Sequence, residues 1–141
     1  MKTWAHLLVS SILAAILYPI FQWKVLLIFV GGVLIDADHY LWYIYKYKKF
    51  NLVDSYKFYL KNMEINDFSN VTGILLIFHT IEFLLIMVLS SFYIKFAFIF
   101  TIGLLSHYLL DLIFLYSVPK RFIVDHSMTH WIVKNSKTLN K

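Results

Sequence analysis

The sequence predicts an all-α integral membrane protein: four transmembrane helices, with a short cytoplasmic interfacial helix between the second and third. Three observations carry this. Hydrophobic residues make up 60% of the 141 residues and charged ones only 15%, too few to cover that much apolar surface in water. Four segments approach the roughly 20 apolar residues that cross a bilayer. The basic residues segregate by side.

The first segment runs over residues 4–21, with Pro19 near its end. It is as long as a spanning helix and no small-residue cleavage site follows it, so it reads as a retained helix rather than a cleaved signal. The second spans 25–43, the third 71–92 and the fourth 96–118, closed by Pro119. Placing the N-terminus in the cytoplasm puts eleven of the thirteen basic residues inside, leaving only Lys24 and Lys95 in the outer turns. Between the second and third segments, Asn51 resembles a helix cap with Asp54 three residues later. Val53, Tyr56, Leu60 and Met63 then share one helical face, and Asp54, Lys57 and Lys61 another. This predicts an amphipathic interfacial helix over 52–63. Residues 119–141 form a polar, basic cytoplasmic tail, in which His126 and His130 read as surface histidines. The length leaves room for one transmembrane domain.

The formal charge of +5 comes from scattered lysines and does not suggest nucleic-acid binding. There is no cysteine, which excludes disulfides and thiolate metal sites.

Against this apolar background stands Asp36-Ala37-Asp38-His39. Ionisable side chains at membrane depth are costly, and a functional site is the default reading. The predicted topology brings further polar groups to the same cytoplasmic half: His6, His79, Glu82, His107 and Asp111. Asp36 and His39, His79 and Glu82, and His107 and Asp111 are pairs at i+3 or i+4 and so neighbours on a helix surface. Small residues continue the stripes: Gly32 before Asp36, Gly103 before His107, Ser10 and Ala14 after His6. Asp38 lies about 200° around the helix from Asp36, so either the helix breaks there or Asp38 meets a different neighbour.

Four histidines and four carboxylates at one depth suit a divalent metal, with zinc first and manganese or iron also fitting. The metal ligands expected are Asp36, His39, His79, His107 and Asp111. Glu82 or Asp38 would serve as general base, and His6 as ligand or proton donor. Such a site opens where lipid headgroups lie, beside a lysine-rich loop, so membrane lipids are the expected partners and a lipid-like molecule the expected substrate. A small transporter or metal-binding protein, and a bundle whose polar groups merely pair internally, remain open from the residues alone.

Ala5-His6-Leu7-Leu8, Ile35-Asp36-Ala37-Asp38-His39 and Gly103-Leu104-Leu105-Ser106-His107-Tyr108-Leu109-Leu110-Asp111 resemble the motifs of the membrane-bound metal-dependent hydrolases. The resemblance covers about His6 to Asp111. Ile35 stands where that family often has proline, and Phe78-His79-Thr80-Ile81-Glu82 where it has a longer histidine element, so this would be a divergent member. The resemblance implies a metal-dependent hydrolase.

Overall fold

A computed structural model describes residues 3–65, 75–117 and 126–139, with the side chains of 115–117 and 137–139 left aside. Of the expected segments and tail, residues 71–74, 118–125, 140 and 141 lie outside the described residues, Pro119 among them, as does Lys2. Among the described residues every regular element is helical. They fall into two compact units: Met1–Asp36 with Leu84–Ser117, and Ala37–Phe83 with Val118–Lys141.

In the first unit, α1 (Thr3–Phe21) ends where Gln22 takes a left-handed backbone, φ 51°. A 3-10 turn, Gln22–Val25, leads into α2 (Leu26–Gly32), and a second short turn, Leu34–Asp36, follows. The rest of α5 (Ile81–Ser91) and all of α6 (Lys95–Ser117) complete the unit. The packing is close because the contact residues are small. A Cβ on Gly31 would collide with the Phe100 carbonyl, and one on Gly103 with the Ile28 carbonyl. The backbones of α2 and α6 therefore touch, as small residues permit. Ala14, Val25, Ile28 and Ile99 fill the core beside this seam. Thr101 Oγ1 donates to the Met87 carbonyl at 3.1 Å, joining α6 to α5.

Along α1 and α6 small and polar residues are buried while large apolar ones are exposed, the reverse of a surface helix in water, although Ile28, Ile99 and Leu104 are fully buried as well. Helix α1 buries His6, Ser10 and Ala14, one stripe at a spacing of four. Its opposite side exposes Leu8, Ile12, Ile16 and Ile20, each by half or more. Helix α6 repeats the pattern, burying Thr101, Gly103 and His107 while Leu105, Leu109, Leu112 and Ile113 face outward. Among the described residues, Thr3–Tyr47 and Lys95–Phe114 are the two helical stretches long and apolar enough to cross a membrane.

Four spans are thus not confirmed, and the second and third expected segments are not single continuous helices among the described residues. The second is interrupted after Gly32, within the longer stretch. For the third, the described helix Ile81–Ser91 has 11 residues and is too short to cross. It starts late because Leu76 and Thr80 are extended and Ile77–His79 forms a 3-10 turn. Thr80 Oγ1 then caps α5, accepting from Phe83 N at 3.3 Å.

In the second unit, α3 (Ala37–Tyr47) stops at Lys48, which is left-handed at φ 55° and bonds back to the Ile44 carbonyl. Helix α4 (Leu52–Glu64) opens on Asn51, whose side chain accepts from Val53 N and Asp54 N, as expected of a cap. Tyr43, Tyr59 and Leu76 form the core, ringed by Trp42, Tyr47, Phe58 and Met63. The buried side of α4 is Ser55, Tyr59 and Asn62, while Val53 and Tyr56 are exposed. The expected tail contains a helix, α7 (Met128–Leu139), and both His126 and His130 are exposed.

Candidate metal centres

The first centre begins with the interruption of α2. Val33 leaves helical geometry (φ −131°, ψ −48°), and Asp36 N bonds the Val33 carbonyl rather than that of Gly32. The Gly32 carbonyl, left over by the helix end, lies 2.9 Å from His107 Nδ1. A carbonyl can only accept, so Nδ1 carries the proton, and Nε2 of the neutral ring carries the lone pair. That Nε2 lies 3.1 Å from Asp111 Oδ2 and 3.5 Å from Asp36 Oδ1. A lone pair between two carboxylates is repulsive unless a cation, a proton or a metal ion, sits among them.

His6 stacks on His107, with ring centroids 3.9 Å apart and planes 19° from parallel. Its Nε2 is 3.3 Å from Asp111 Oδ1, yet without hydrogen-bond geometry, and its Nδ1 has no hydrogen-bond partner. Both rings are buried, and both carboxylates are partly exposed at the edge. A buried polar atom without a partner costs about 1–3 kcal/mol. His6, His107 and Asp111 offer ligand atoms within 4.8 Å of one another and could hold a metal ion. The donor set fits one. Imidazole nitrogen and carboxylate oxygen are ordinary ligands for zinc, iron and manganese, and two carboxylates balance a divalent charge.

The second centre lies in the other unit and is built differently. Asp38 Oδ1 is 3.0 Å from His39 Nδ1, and Oδ2 is 2.9 Å from His79 Nδ1. Phe78 N also donates to Oδ2, at 3.1 Å. One carboxylate thus fixes the tautomer of two histidines, making Nε2 the lone-pair nitrogen of each neutral ring. The rings meet edge to face at 4.9 Å. Tyr59 packs on His39 and donates its hydroxyl to the His39 carbonyl at 3.0 Å. This trio too could hold a metal ion.

Glu82 belongs to neither centre. Its carboxylate accepts from Ser127 Oγ, Met128 N, Thr129 N and Thr129 Oγ1, at 2.7–3.1 Å. The carboxylate caps the start of α7, and Ile81 N adds a bond to the His126 carbonyl. The Thr129 and Ser127 hydroxyls, with the backbone amide, hold the Glu82 carboxyl well below the usual carboxylate range.

Of the residues singled out in the sequence, the structure brings His6, Asp36, His107 and Asp111 together within the first unit, and Asp38, His39 and His79 together within the second. The single helix expected over 25–43 is interrupted between Gly32 and Ala37, so the i, i+3 spacing of Asp36 and His39 is not read on one continuous helix. The Gly32 carbonyl, the Tyr59 hydroxyl and the residues 127–129 escaped sequence reasoning. Only the spacing of Gly32 before Asp36 hinted at the first of these. No known protein family, curated protein or solved structure matches the chain.

Proposed function

We propose that this chain is an integral membrane protein that binds a divalent metal ion and hydrolyses a lipid, or a lipid-linked ester or phosphate, at the cytoplasmic side. The membrane reading is supported by the apolar outer sides of α1 and α6 and by the lysine distribution of the whole chain, which favours cytoplasmic termini. The single observation that carries the metal is the His107 ring, whose proton is committed to the Gly32 carbonyl while Nε2 meets two carboxylates. The motif resemblance to the membrane-bound metal-dependent hydrolases supports the reaction class.

In this reading His6, His107 and Asp111 hold the ion, zinc being the first choice. Bound there, a divalent cation supplies Lewis-acid polarisation of a carbonyl or phosphoryl oxygen. Asp36, partly exposed beside His107, is placed to accept a proton from attacking water. The buried histidines and the Gly32 carbonyl keep that edge fixed in orientation.

Elemental mass spectrometry of the detergent-purified protein tests the ion: about one or two equivalents are expected, at least one of them lost in His107→Ala. Incubation of the loaded protein with membrane lipid extract, followed by product analysis, tests the reaction. Product that disappears in Asp36→Asn supports it; metal bound with no lipid cleaved overturns it. A second reading has its own observation. Interrupted helices with an unwound carbonyl also bind ions in transporters. Metal-dependent ion flux into proteoliposomes, without lipid cleavage, would favour that reading.

A further inference from the structure

Helix α4 has three sides rather than two. Ser55, Tyr59 and Asn62 are buried. Beside them Leu52, Val53 and Tyr56 are exposed by 62%, 57% and 46%, continuous in sequence with Phe50 at 76%. Next around the helix come Lys57 and Lys61, both exposed. Lys48 and Lys49 are exposed just before the helix. Tyr59 packs inward with Ser55 and Asn62, yet Leu52, Val53 and Tyr56 remain outside as a second apolar strip that the core does not cover.

We infer that α4 seats on the anionic headgroup layer of a bilayer, with Phe50, Leu52, Val53 and Tyr56 at the acyl boundary and Lys48, Lys49, Lys57 and Lys61 on the phosphates. This rests on the membrane reading above and adds a lipid class and a residue set to it. The occupant follows from charge. Exposed lysines at four positions along 48–61 face one exposed acid within that stretch, Asp54, with Glu64 beyond it. An apolar strip flanked by lysines is the signature of a helix lying in the interface, where long basic side chains reach back to the phosphates. Each lysine near an anionic surface strengthens attachment by about fivefold.

The chain has no cysteine, so single-cysteine variants can be labelled cleanly. Val53→Cys reports on α4 and Ile113→Cys, outward on α6, reports on a membrane span. Each would carry an environment-sensitive fluorophore in the full chain. Nanodiscs of phosphatidylcholine alone would be compared with nanodiscs containing phosphatidylglycerol. The expected result is lipid-like emission at both sites, with quenching at Val53 by nitroxide lipids several-fold stronger in the anionic discs. Lys57→Glu/Lys61→Glu should remove that dependence while leaving the Ile113 signal unchanged. Lipid-like emission at Ile113 with aqueous emission at Val53 overturns the inference and spares the membrane reading. Aqueous emission at both sites overturns both. Val53 shielded equally in both discs, with self-association on cross-linking, means that a second copy covers the strip and overturns the lipid assignment.

Discussion

The two metal-binding candidates use the same residue types in opposite roles. In the first, a backbone carbonyl fixes His107 and the carboxylates of Asp111 and Asp36 approach its lone-pair nitrogen. In the second, the carboxylate of Asp38 is itself the orienting group, held on the protonated nitrogens of His39 and His79. Residue composition therefore does not distinguish a ligand from the group that aims a ligand. The nitrogen that a carboxylate touches does. Asp111 is a ligand candidate because it meets Nε2, whereas Asp38 tunes its histidines because it meets Nδ1.

The strongest way to break the contrast is to remove the scaffold of one side. Gly103→Val places a side chain against the Ile28 carbonyl and should cost about 3 kcal/mol or more, read as loss of monodisperse protein and a lowered melting temperature in detergent. Next, Asp111→Asn should abolish metal binding by the first trio, whereas Asp38→Asn should weaken the second only about 10- to 100-fold. Competition with a chromophoric chelator measures both, and equal losses would erase the distinction. A smaller effect concerns protons. Glu82 is held below its ordinary pKa, so its contribution to docking α7 is present above the unfolded value of 4.5 and is lost as pH falls from there toward the lower folded value. Amide exchange at Met128 and Thr129 should therefore stay slow at neutral pH and speed up in acid, and Glu82→Gln should be fast throughout. Smallest, Asn51→Ala should cost about 1 kcal/mol through loss of the α4 cap.

Much of this arrangement was legible in the sequence because it is periodic. The stripe His6, Ser10, Ala14 and the glycines at Gly32 and Gly103 follow helical spacing, and they do mark the packed faces. The opposed directions of Asp36 and Asp38 were equally readable, and the structure resolves them by breaking the helix and by giving Asp38 its own partners. The position of the break left no sign, since Val33 is an ordinary strand or helix residue and Gly31-Gly32 reads just as well as a packing seam. The extended start of the third segment was hidden because hydropathy cannot tell a 3-10 turn from a helix, although Thr80 before α5 was a usable cap signal. Glu82 was expected, with Asp38, as a candidate general base because it shares the polar stripe with His79. Its partners lie 45–47 residues away, beyond the reach of any local pattern.

The two sides of α1 separate two kinds of information along one helix. On α1, His6, Ser10 and Ala14 specify how the chain packs, while Leu8, Ile12, Ile16 and Ile20 specify only which solvent surrounds it. The two sets can then be rewritten independently. A variant that exchanges the outward residues of α1 for glutamate, lysine and glutamine, and keeps the inner stripe, should therefore retain the stacking of His6 on His107 while presenting a polar outer side.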